Sequence, residues 1–153
     1  MRRVIPANKV NHDYEKVLSE FVSALKNRLG EYLLMVYLIG SYARGDANDN
    51  SDLDVFCIFS TINQYVLENV GHCARNTSIP YDLLEINTQC LSVDEYKSKI
   101  FEDWSEYAIA ELNSVLLYGE QLVKIENINE KIQLSYKKNL ANILMSVRHY
   151  ICV

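Results

Sequence analysis

Two apolar segments, Leu33–Ile39 and Leu53–Phe59, flank a stretch that opens on Gly40-Ser41, runs through polar residues and closes on Asp52; the second segment carries Asp54. The first run is uninterrupted and the second is broken only by Asp54, and apolar runs of this length suit strands covered on both faces. A chain that holds two of them must be built around a buried sheet. Both carboxylates then fall where a polar loop enters a core strand.

Apolar residues elsewhere recur with helical spacing. Tyr14, Val17, Leu18, Phe21, Val22, Leu25 and Leu29 predict a helix over Asn11–Leu29, and Gly30 supplies a stop because glycine tolerates the left-handed conformation common past a helix end. Ile62, Tyr65, Val66, Val70 and Cys73 predict a helix from Thr61 to Arg75, with Gly71 weakening its last turn. Tyr81–Ile86 reads as a third strand. The run Ser92-Val93-Asp94-Glu95 fits a capping box, so a helix starts at Val93. A helical stretch over Trp104–Leu112 and a short strand over Val115–Gly119 follow.

From Ile128 to Ile151 the spacing of Ile128, Ile132, Tyr136, Leu140, Ile143, Leu144, Val147 and Ile151 predicts a long amphipathic helix. It packs on the core, meets a partner or second copy, or begins a helical domain of a longer chain. The expected division is a domain over 1–125 and this helix over 126–153.

A length of 153 residues with 49% hydrophobic content suits one domain with a real core. The formal charge of −5 argues against general nucleic-acid binding, which draws on Lys and Arg to neutralise phosphates. Cys57, Cys73, Cys90 and Cys152 form no C-x-x-C pair, so free thiols in a reducing cytoplasm are expected rather than a zinc site. His12, His72 and His149 share no metal-ligand spacing. No signal-peptide pattern opens the chain, and no apolar run is long enough to cross a bilayer, so the protein is expected to be cytoplasmic with no membrane partner.

Residues i and i+2 of a strand point to one side, so Asp52 and Asp54 project together. A bound cation lets both stay ionised, and hard oxygen ligands beside a phosphate favour Mg2+ or Mn2+. Gly40 gives backbone N–H groups room to approach phosphate oxygens, and Ser41 adds a hydroxyl donor. Taken alone, Asp-x-Asp also suits a solvated loop-to-strand junction. Ser51 either orients Asp52 or caps the turn, and Arg44 by itself suits a surface pair with Asp46 or Asp49.

The pattern Gly40-Ser41, ten residues, then Asp52-Leu53-Asp54, with Ala43-Arg44-Gly45-Asp46 and Ser51 between, resembles the signature of the DNA polymerase beta-like nucleotidyltransferase superfamily. It is most similar to the small bacterial members, the minimal nucleotidyltransferases and the aminoglycoside adenylyltransferases. The resemblance covers about Asn11 to Gly119. It implies an α+β fold, a small mixed sheet flanked by helices, with two metal ions held by three carboxylates. The third is expected on a neighbouring strand at Asp82, which would share a face with Leu84 and Ile86; Glu85 is the alternative if a bulge or shifted boundary swaps the faces.

The implied reaction moves a nucleoside monophosphate, with ATP the expected donor, onto an acceptor hydroxyl and releases pyrophosphate. Asp52, Asp54 and Asp82 would hold Mg2+, Asp82 would also accept the proton of the attacking hydroxyl, and Gly40, Ser41, Arg44 and Ser51 would line the nucleotide. The acceptor is a small molecule or a protein side chain, since some minimal members are antitoxins that adenylylate a helical toxin carrying an HEPN domain. A non-catalytic module that uses the same fold to bind a toxin partner is the alternative; three acidic groups converging on one site argue against it.

Overall fold

A computed structural model describes residues 7–48, 50–81, 84–102 and 114–120. Helix α1 (Ala7–Leu29) leads into strand β1 (Leu33–Ile39). A five-residue helix α2 (Gly40–Arg44) follows, then β2 (Leu53–Phe59) and α3 (Gln64–Ser78). Strand β3 (Ile86–Ser92), helix α4 (Val93–Glu102) and strand β4 (Val115–Gly119) complete the described elements. The expected helix over 104–112 and the long helix over 128–151 lie outside the described residues.

The strands form one sheet in the order β3-β2-β1-β4. β1 runs antiparallel to β2 and β4, whereas β2 and β3 are parallel and joined across α3. The fold is therefore α+β, a mixed sheet with flanking helices.

One face of the sheet buries Val36 and Leu38 of β1 and Leu53, Val55, Cys57 and Phe59 of β2 against Val17, Phe21 and Leu25 of α1 and Val66 and Val70 of α3. Side chains of this size each contribute about 1.5–3 kcal/mol when fully withdrawn from water. The opposite face gathers Met35, Tyr37, Ile39, Phe56, Ile58 and Leu91, with Tyr96 of α4 packed over them. Helices thus cover one face broadly, while α4 covers the other around Phe56, Ile58 and Leu91.

Helix boundaries follow local chemistry. Asn63 caps α3, its side-chain oxygen accepting from the Val66 N–H at 2.9 Å, so the helix starts later than its apolar stripe suggests. Replacing Asn63 with Ala should lower stability by about 1 kcal/mol. Urea unfolding should show a lower midpoint at an unchanged m-value. The capping box before α4 forms as expected: Glu95 N–H donates to Ser92 Oγ at 3.2 Å, and the Ser92 N–H donates to Glu95 Oε2 at 2.9 Å.

Gly30 ends α1, but not through a left-handed backbone, since the positive-φ glycines are Gly40, Gly45 and Gly119. A Cβ at Gly30 would stand 2.5 Å from the Lys26 carbonyl oxygen, so space rather than dihedral freedom requires glycine there.

The third strand departs from expectation. It covers Ile86–Ser92 rather than Tyr81–Ile86, and the Leu84 N–H instead donates to the Tyr81 carbonyl at 3.0 Å. At the edge of the sheet among the described residues, β3 alternates, with Ile86, Thr88 and Cys90 more covered than Asn87 and Gln89. The more apolar segment before it had the look of a core strand; a half-exposed strand needs only one apolar face.

Candidate active site

Register within the hairpin of β1 and β2 sets Ile39 opposite Asp54, which brings Gly40, the next residue, against the carboxylate. Gly40 has φ +72°, and a Cβ built there would lie 2.6 Å from Asp54 Oδ2 and 3.3 Å from Asp54 Cβ. Only a residue without a side chain leaves room for this carboxylate, and glycine also takes the left-handed backbone without strain. Gly40 does not open an irregular loop. The structure instead makes it the first residue of α2, with Ser41 half-buried directly after it.

Asp54 is half-buried and Asp52 exposed. Alternation along β2 puts Asp54 on the face of Phe56 and Ile58, and Asp52 precedes it by the same two-residue step. Asp54 Oδ1 accepts from Asn87 Nδ2 at 3.0 Å. Asn87 is the residue of β3 that pairs with Asp54 in the parallel ladder. Sequence reasoning missed Asn87; the alternation of Ile86, Thr88 and Cys90 was the available signal that a strand ran through it.

Among the other expected site residues, Ser51 closes the loop: its Oγ accepts from the Asn48 N–H at 2.9 Å, and its own N–H donates to the Asn48 carbonyl at 2.9 Å. Arg44 pairs with Asp46 at 3.4 Å, with both side chains well exposed at 47% and 63%. Asp82 lies outside the described residues, and the strand expected to carry it begins at Ile86. Glu85 immediately precedes that strand, is exposed, and accepts the Leu53 N–H on its carbonyl at 2.8 Å, which places its backbone beside β2 between Asp52 and Asp54.

A groove of about 520 Å3 lies on the α1 side of the sheet, lined by Tyr14, Leu18, Leu38, Tyr42, Leu117 and Tyr118 among others. Neither Asp52 nor Asp54 lines it, so the cavity and the carboxylates belong to opposite faces. Cys57, Cys73 and Cys90 are free. A thiol hydrogen bond to its strand partner Cys90, and then burial, raise the Cys57 pKa; the same bond lowers that of Cys90 against the opposing effect of burial. No group of three or more His, Cys, Asp or Glu side chains able to hold a metal is found among the described residues. The Asp52–Asp54 pair still suits Mg2+, which is usually held by one or two carboxylates with phosphate and water completing its shell. No helix among the described residues is long and apolar enough to cross a membrane.

A model of the nucleotidyltransferase domain family matches residues 18–141. A Methanocaldococcus jannaschii protein, provisionally named a protein adenylyltransferase, is 39% identical over 54 residues, which make up 35% of this chain and 54% of that protein. The chain thus spans about half the length of the curated relative it matches. One chain of a toxin–antitoxin crystal structure with AMP-PNP aligns with a TM-score of 0.50 at 15% identity, covering 89% of this chain and 98% of that one. A mutant of the toxin–antitoxin MntA–HpeT aligns with a TM-score of 0.50 at 14% identity, over 89% and 98%. At such identities the structural likeness is one of fold.

Proposed function

The chain belongs to the nucleotidyltransferase domain family, and from that premise we propose that it transfers AMP from ATP to a hydroxyl of a protein, releasing pyrophosphate. The observation that carries this reading is the fit of Gly40 against the Asp54 carboxylate, which sets a glycine-serine backbone beside a pair of acids on one strand.

In this reading Asp52 and Asp54 hold Mg2+ together with the triphosphate. Bound there, the ion would neutralise charge on the phosphates and on the departing pyrophosphate. Ser41 offers its N–H and hydroxyl to phosphate oxygens, while Gly40 keeps that approach open. Arg44 exchanges Asp46 for a phosphate at small cost, because exposed ion pairs contribute only about 0–1 kcal/mol.

For the third carboxylate the position of Glu85 favours it over Asp82. Asn87 faces Asp54, and a two-residue step back along an extended chain reaches Glu85 on that same side. Glu85 would then accept the proton of the attacking hydroxyl.

A protein acceptor is supported by the name of the relative from Methanocaldococcus jannaschii, and a toxin partner by the toxin–antitoxin assemblies of similar fold. A small-molecule acceptor of the aminoglycoside type is the competing outcome. ATP labelled at the α-phosphate, incubated with Mg2+, candidate partner proteins and an aminoglycoside, should label a protein. Label on the aminoglycoside alone would overturn the protein acceptor. Isothermal titration that finds no Mg2+-dependent ATP binding would sink the enzymatic reading. Glu85→Gln should cost more activity than Asp82→Asn, and the reverse order would return the third carboxylate to Asp82.

A further inference from the structure

We infer that Asn87 is a positioning residue that holds the Asp54 carboxylate in the orientation in which it ligates a divalent cation; this rests on the metal-dependent reading above. The two oxygens of Asp54 are constrained from opposite sides. Oδ1 accepts from Asn87 Nδ2 at 3.0 Å, and Oδ2 lies where a side chain on Gly40 would stand. Rotation of the carboxylate therefore breaks the amide bond or drives an oxygen toward the α2 backbone. Asp52, by contrast, is exposed, and no side chain among the described residues donates to it.

The chemistry of the donor matters. A carboxylate oxygen has two lone-pair sites, so Oδ1 can accept from the amide and still meet a cation. A lysine or arginine at this position would supply the same bond with a positive charge that competes with the ion. A neutral amide orients the acid and leaves its charge for the metal, as outer partners of metal ligands generally do. The register holds Asn87 in place, because Ile86 and Thr88 on either side point to the more covered face.

Loss of such an outer partner typically costs about 10–100-fold in metal affinity, and the exposure of Asn87 sets the expectation at the lower end, about 10-fold. The test titrates the full chain with Mn2+ alone and follows the free ion by electron paramagnetic resonance, beside melting curves. Asn87→Ala should raise the Mn2+ Kd about 10-fold. Asn87→Val should do the same without loss of strand propensity, so that instability cannot mimic the effect. Gln89→Ala, on the same face of β3 but not bonded to Asp54, should bind like wild type. Equal Mn2+ binding by wild type and both Asn87 variants would overturn the inference alone, as would an equal loss in Gln89→Ala. Absence of Mn2+ binding by wild type would overturn the metal reading of Asp52 and Asp54, and the inference with it.

Discussion

Asp54→Ala should reduce nucleotidyl transfer by about 1000-fold or more while leaving the protein folded. Charge stabilisation by a correctly held cation contributes several kcal/mol to such a reaction, and each 1.36 kcal/mol is tenfold in rate. The fold has little to lose. Asp54 is half-buried and its bonded partner Asn87 is exposed, so water replaces the lost carboxylate. The change also relieves the repulsion between two acids on one strand. Without metal the variant should therefore melt within roughly 1 kcal/mol of wild type, the usual span for a substitution that leaves no buried group unpaired.

Ligand-induced stabilisation provides a second readout. Wild type with Mg2+ and ATP at about 100 times the Kd should gain about 2.7 kcal/mol, and Asp54→Ala should lose most of that shift. Asp52→Ala should behave similarly. A folded Asp54→Ala that keeps both transfer and the nucleotide-dependent shift would remove the carboxylate pair from the mechanism.

Gly40→Ala should cost about 100-fold in activity and lower stability by about 1–2 kcal/mol. The backbone at φ +72° puts any L-residue in the left-handed region, at a cost of roughly 1–2 kcal/mol. The new methyl would also stand 2.6 Å from Asp54 Oδ2, so the carboxylate must swing away and give up the Asn87 bond. Displacement of a reacting or ligating group by about 1 Å can cost about 100-fold. The two parts separate in a double-mutant cycle. In an Asp54→Ala background Gly40→Ala should keep its backbone cost and lose the steric one, leaving a coupling energy between the two sites. Strict additivity in stability would mean that Gly40 is required for backbone conformation alone.

Much of this architecture could be read from residue order because its signals are local. Strands β1 and β2 coincide with the apolar runs Leu33–Ile39 and Leu53–Phe59, and β4 with Val115–Gly119. The start of α4 followed from Ser92 and Glu95, whose mutual bonds span three residues. The misreadings share a different cause. The half-exposed β3 carries Asn87 and Gln89 between its more covered residues, so its apolar content falls below that of the preceding segment, and apolar content alone points to a strand that is too early. Helix α2 is only five residues long, too short for periodicity to reveal.

The side on which Asp52 and Asp54 project follows from strand alternation and needs no knowledge of a neighbour. The need for a small residue near them was likewise legible in Gly40-Ser41. Which residue of β3 stands opposite Asp54 could not be derived in that way. It depends on the register of a parallel pair joined across α3, and register is set by how the helix packs over the whole sheet. A slip of one residue would bring Ile86 or Thr88 to that place and turn Asn87 toward the core. The acids were written in the chain, but the amide that holds one of them was assigned by packing.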